Sequence, residues 1–241
     1  MQDGRRKNMM ALLNQLLEKK EPLWQPRVVS TVSKVSESMK PRGDFQGNII
    51  PWAISEEDKL QAKSYASLMT NMLLETKTTQ YHVYFADGSL RSRNGRAAAG
   101  IAWRKPSLSD WGGQGLHFSA ETSNSNLVEL YAIDCALEIA TKEILQTKER
   151  TGKTHEVLIF SDSQGALGGI MNFKSQRSPS AKKEKEQYRL FQSVVERSEA
   201  LKSQGVNLEL HWVPGHKDVP GNTLADKLAV ATAKSKIDGS S

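Results

Sequence analysis

The chain of 241 residues has a single cysteine, Cys135, which excludes an internal disulfide framework and fits a reducing compartment. Cys135 falls in an apolar helical pattern, where a small buried side chain is expected and a nucleophile is not. No run approaches the ~20 apolar residues that a membrane-spanning helix needs. Acidic charge is in deficit: 33 Lys and Arg stand against 27 Asp and Glu, giving a net charge of +6 and a pI near 9.3. That balance suits a polyanionic partner. A hydrophobic share of 38% is that of a globular protein, and the length fits one large domain or one ordinary domain with an appendage. An intracellular location, nuclear or cytoplasmic, is the expectation. Arg5-Arg6-Lys7 ahead of Met9 to Leu17 leaves a mitochondrial presequence as the alternative.

The sequence divides at about residue 78. Residues 1–78 read as a linker-like extension with one or two helices. Leu12, Leu13, Leu16 and Leu17 sit at helical spacing, and Pro22, Pro26, Pro41 and Pro51 break up the Ser/Lys-rich stretch beyond them. Ser55 with Glu56, Glu57 and Asp58 reads as an N-cap and acidic first turn of a helix to about Glu75. Leu60, Tyr65, Leu68, Met69 and Met72 are its expected docking face.

From Thr79 the pattern changes. Gln80 to Ala86 is β-prone and ends in Asp87-Gly88-Ser89. Ala97 to Trp103 and Gly115 to Ala120 come next as strands two and three of an antiparallel meander. Asn124 to Gln146 has helical periodicity and carries Glu129 in its first turns. Val157-Leu158-Ile159-Phe160 reads as a strand buried on both faces, delivering Asp162 just before a helix that starts at Ser163. Glu184 to Ser203 is helical and ends at Gly205 as C-cap. Val206 to Val213 is a fifth strand, and a last helix runs from Gly221 to about Ala233. The order predicts an α/β fold: a mixed five-stranded sheet, three antiparallel strands then two parallel, flanked by helices over 79–235. Residues 236–241 read as a disordered tail.

Asp87 and Asp162 each close a strand, and the right-handed crossover rule makes those strands neighbours. Glu129 and Asp226 would approach from flanking helices. A carboxylate after a strand can also be a helix cap, so one alone says little. Four converging carboxylates raise one another's pKa and cannot all stay ionised unaided. Divalent cations relieve that conflict, and all-oxygen ligation points to Mg²⁺ or Mn²⁺.

Asp87-Gly88-Ser89, Asn126-Leu127-Val128-Glu129, Ser161-Asp162-Ser163-Gln164, and Trp212-Val213-Pro214-Gly215-His216 through Gly221-Asn222-Thr223-Leu224-Ala225-Asp226 resemble type I ribonuclease H. The likeness is to the ribonuclease H modules of retrotransposon reverse transcriptases and covers roughly 79–235. It implies hydrolysis of the RNA strand of RNA·DNA hybrids by a two-metal-ion mechanism, leaving 5′-phosphate and 3′-hydroxyl ends. Asp87, Glu129, Asp162 and Asp226 would hold two Mg²⁺, with Mn²⁺ as the alternative. His216 matches the family's mobile histidine, which aids proton transfer or product release. Ser89, Asn126 and Gln164 match positions that touch the hybrid. Asn124 stands where many members have threonine in a DNA-phosphate pocket. The other four histidines, His82, His117, His155 and His211, read as structural.

From Thr79 onward, 21 Lys and Arg face 18 Asp and Glu, four of the latter being the expected metal ligands. Arg91, Arg93, Arg96, Arg104, Lys105, Lys174, Arg177, Lys182 and Lys183 are candidate phosphate contacts. Two other readings stay open: a catalytically inactive, retroelement-derived nucleic-acid-binding domain, and a fragment of a longer reverse transcriptase with a polymerase domain as partner.

Overall fold

The computed structural model describes residues 43–50, 55–71, 78–91, 96–104, 111–120, 122–175, 182–215 and 219–235. The expected helix near 9–17 and the tail 236–241 lie outside them. In chain order the elements are β1 (Asn48–Ile50), α1 (Glu56–Asn71), β2 (Thr79–Arg91), β3 (Arg96–Arg104), β4 (Trp111–Phe118) and α2 (Ser125–Thr151). They continue with β5 (Thr154–Ser161), α3 (Gln164–Asn172), α4 (Lys182–Ser203), β6 (Asn207–Trp212) and α5 (Pro220–Lys234). The strands form a single sheet in the order β1-β6-β5-β2-β3-β4. β2, β3 and β4 are antiparallel, while β5 and β6 run parallel to β2. The five-stranded mixed sheet expected from the sequence is therefore present, and a sixth strand extends it. β1 pairs in parallel with β6 through three residues of which Ile49 alone is buried, too short to show a period of two.

Helices cover both faces. On one side Tyr84, Ala86, Ile101, Val157, Ile159 and Leu210 pack under α2, α3 and α4. On the other, Val83, Phe85, Leu158, Phe160 and Val213 meet Ala66 and Met69 of α1 and Ala225 of α5. The run 157–160 is thus buried on both faces, as its continuous apolar character predicts. Gly100 on β3 lets α5 come close: a Cβ there would lie 2.0 Å from the Ala225 carbonyl oxygen.

The N-terminal stretch contributes more than a linker would. Phe45 is 3% exposed in the main core, and the Asp44 N–H donates to Phe173 O at 3.0 Å. α1 starts as expected, with Ser55 Oγ accepting from Asp58 N at 3.1 Å. Its docking face holds the expected Met69 and Tyr65, with Ala62, Ala66 and Thr70 buried beside them, whereas Leu60 is 65% exposed and Met72 lies outside the described residues. Small residues at that spacing allow the helix axis to approach the sheet, and a leucine there would hold it off. Arg104, a candidate phosphate contact, instead donates to Thr70 O at 2.6 Å. α4 ends at Gly205 with φ 67°, a conformation that suits glycine.

A candidate metal-binding site at the strand ends

β2 and β5 are paired in parallel as far as Phe85↔Phe160. Asp87 and Asp162 each stand two residues further on. With a side-chain period of two, both carboxylates leave the same face, side by side, where the parallel pairing stops. The sequence suggests that Asp87 ends its strand. It lies instead inside a 13-residue strand, because β2 continues beyond β5 in its hairpin with β3, from Asp87↔Gly100 to Arg91↔Arg96.

Glu129 arrives from the other side. α2 is capped by Asn124, whose side chain accepts from Asn126 N at 3.1 Å, and Glu129 lies just inside the helix. Gly88 lets that first turn rest on the strand: a Cβ at Gly88 would sit 2.7 Å from Glu129 N. In return the Gly88 N–H donates to Glu129 Oε2 at 2.9 Å. One carboxylate oxygen from each of Asp87, Glu129 and Asp162 then lies within 4.8 Å of the others.

Ser163 settles whether Asp162 is only a cap. The hydroxyl of Ser163 accepts from Ala166 N at 3.2 Å and caps α3, so Ser163 and not Asp162 supplies the side-chain cap. The loop carrying it is pinned by its backbone: the Trp212 indole N–H donates to Asp162 O at 3.1 Å, and Val213 N donates to Ser161 O at 3.0 Å.

Burial and neighbouring carboxylates dominate the electrostatics of Asp87 and Glu129. Burial first, then the Asp162 and Asp226 carboxylates, push Asp87 up to about 8. Burial, with Asp87 and Asp162 next, pushes Glu129 up to about 9 against the opposing Gly88 hydrogen bond. Asp226, on α5, is near enough to act on both, yet it stands outside the group of three that share the 4.8 Å spacing. Three hard carboxylate oxygens at that spacing fit Mg²⁺ or Mn²⁺ and do not fit a sulfur- or imidazole-preferring metal.

Of the remaining expected residues, Ser89 leaves β2 on the same face as Asp87 and is half-buried. Asn126 and Gln164 are exposed neighbours: the Asn126 amide fills the space beside Gly165, where a Cβ would lie 2.6 Å from Asn126 Oδ1. His216 lies outside the described residues, as do Arg93, Lys105 and Arg177. His82, His155 and His211 are buried among polar partners within the fold.

Sequence reasoning overlooks Asn222. It is 5% exposed, and its Nδ2 donates to Asp162 Oδ2 at 3.4 Å. Its Oδ1 is buried with no partner among the described residues, an acceptor left open beside the acids. Its place in the run Gly221-Asn222-Thr223-Leu224-Ala225-Asp226, four residues before an expected ligand, is the available signal.

A family model described as RNase H matches residues 79–234. The chain belongs to the RNase H family. RNase H1 from the halophilic archaeon Halobacterium salinarum NRC-1 is similar at 18% identity, covering 63% of this chain and 96% of that one, with a TM-score of 0.42. The N-terminal RNase H domain of a Mycobacterium tuberculosis protein, solved as a fusion with maltose binding protein, is also similar at 18% identity. It covers 64% of this chain and 98% of its own, with a TM-score of 0.41. No curated protein matches the chain. Among the described residues, no helix is long and apolar enough to cross a membrane.

Proposed function

We propose that this RNase H family member is a metal-dependent endoribonuclease that hydrolyses the RNA strand of RNA·DNA hybrids, with 79–235 as its catalytic domain. The observation that carries the reading is the convergence of Asp87, Glu129 and Asp162 at the end of the β2–β5 pairing, inside the residues the family model matches. Bound Mg²⁺, or Mn²⁺ in its place, would supply charge neutralisation at the scissile phosphate and a more acidic attacking water.

The protein's own side chains divide the remaining work. Asp87, Glu129 and Asp162 would hold the cations, and Asp226 would complete the pair of sites from α5. Gly88 N–H fixes Glu129 Oε2, so that carboxylate keeps one oxygen oriented while the other is free to ligate. Asn126 and Gln164, side by side on the approach to the acids, and Ser89 on the strand face of Asp87 would read the hybrid. An RNA·DNA hybrid offers 2′-hydroxyls on one strand only, and hydrogen-bonding side chains can tell the strands apart there. His216 would move a proton at the leaving group or assist product release. The products would carry 5′-phosphate and 3′-hydroxyl ends. The motif spacing supports type I and a kinship with reverse-transcriptase modules, for which a polymerase domain would be the natural partner.

The test is a hybrid labelled on either strand, incubated with Mg²⁺ or Mn²⁺. The wild-type protein should cut the RNA label alone, and Asp162→Asn should abolish cutting. Equal cutting by Asp162→Asn, or loss of the DNA label, would contradict the reading.

A further inference from the structure

Beyond its pairing with β5, β2 carries three alternate residues on one strand face: Asp87, Ser89 and Arg91. Arg91 is exposed and closes the strand, and its register partner across the hairpin is Arg96. Directly opposed like charges in an antiparallel pair are destabilising. The intervening sequence Ser92-Arg93-Asn94-Gly95 adds a third arginine and no carboxylate. Nor does any carboxylate among the described residues pair with Arg91. Arg96 has a structural task, since its Nη1 lies 3.4 Å from Ser235 O just past the end of α5, where a cation complements the helix dipole. Arg91 makes no such contact among the described residues. Lys234, one residue before Ser235, is the last basic residue of the same helix end.

The geometry points to Arg91 as a backbone-phosphate contact for the nucleic acid bound at the acids, with Arg96 keeping the hairpin end electropositive beside it. Four residues of strand place Arg91 ~13 Å from Asp87 along β2. That is too far to touch the reacting phosphate and close enough to meet a neighbouring stretch of the same duplex. A polyanion laid along this face would also relieve the Arg91–Arg96 opposition that the free protein carries. The contact would contribute affinity without regard to base sequence. The inference rests on the hydrolytic reading for the position of the duplex.

The experiment uses the full chain and a fluorescent RNA·DNA hybrid in EDTA, so that binding is read without cleavage across roughly 50–200 mM KCl. Arg91→Ala should weaken binding about 3- to 10-fold and make the log–log salt slope shallower by about 0.9, one phosphate contact. Arg91→Lys should restore most of that slope. Lys142→Ala, on an exposed α2 lysine paired with Glu138, removes the same net charge and should leave the slope alone. An unchanged slope in Arg91→Ala, or an equal change in Lys142→Ala, would overturn the assignment. Cleavage by wild type and its loss in Asp162→Asn report separately on the hydrolytic reading, so either can fail while the other holds.

Discussion

β2 and β5 carry two buried polar clusters, one at each end of their parallel pairing, and the two are built on opposite terms. At the start, His82 Nε2 and His155 Nδ1 share a hydrogen bond of 3.0 Å, and His82 Nδ1 lies 3.5 Å from Glu143 Oε1. Tyr84 OH donates to Glu143 Oε2 at 2.5 Å. Burial alone would raise the Glu143 carboxyl, but hydrogen bonds from His82 and Tyr84 outweigh it and hold the group below its usual value. At the far end, burial and neighbouring acids raise Asp87 and Glu129 together. One cluster sets donors against acceptors; in the other, burial and neighbouring carboxylates act together on Asp87 and Glu129. A network of matched donors and acceptors suits a structural site, and carboxylates crowded together with raised pKa values suit a ligand site.

Substitution should separate the two ends most sharply in activity. Asp87→Asn should lower hybrid cleavage by ~10³-fold or more, since several kcal/mol of transition-state charge stabilisation would depend on the proposed ligand set. His155→Ala should leave cleavage per folded molecule within about 3-fold, because it sits at the other end of the strands. If the histidine variant were as dead as the acid variant, the division between the ends would be wrong.

Stability should run the other way. His155→Ala leaves His82 short of a buried partner and should cost roughly 2–3 kcal/mol in chemical denaturation. Asp87→Asn should cost less than that, or stabilise the metal-free protein. Equal losses would erase the contrast.

The pH dependence should differ in sign. Asp87 and Glu129 have folded values raised above their unfolded ones, so their contribution is fully present below the ordinary carboxylate range. It is lost as pH rises through about 8 and about 9. Glu143, held low, contributes above the ordinary carboxylate value and loses that contribution as pH falls through its folded one. Metal-free protein should therefore melt lower at pH 9 than at pH 6. Glu129→Gln should recover about 2 kcal/mol at pH 9, or roughly 5 °C. A melting temperature that rises over that interval in metal-free protein would contradict the raised values of Asp87 and Glu129.

Legibility in the sequence tracks the length of the physical signal. The buried run 157–160, the amphipathic helices and the crossover neighbours are long patterns, and they place Asp87, Glu129, Asp162 and Asp226 on the right elements. Short or tertiary signals are lost. β1 has three residues and one buried side chain, so no alternation can mark it. The α1 docking face is hard to read because Ala62 and Ala66 are less conspicuous than Leu60 and Leu68. The continuation of β2 past Asp87 depends on its pairing with β3, which local propensity does not reveal. Asn222 is visible as a letter in a motif, but its burial against Asp162 exists only after α5 folds over the sheet.

The central claim is that Asp87, Glu129 and Asp162 form a carboxylate pocket for a divalent cation. Calorimetric titration of metal-free protein with Mn²⁺ near pH 7.5, repeated in buffers of different ionisation enthalpy, reads both binding and the protons it displaces. Saturable binding should release more than one proton, because cation and proton compete for the raised carboxylates, and Asp162→Asn should lose that binding. Binding without proton release, or binding that survives Asp162→Asn unchanged, would contradict the claim.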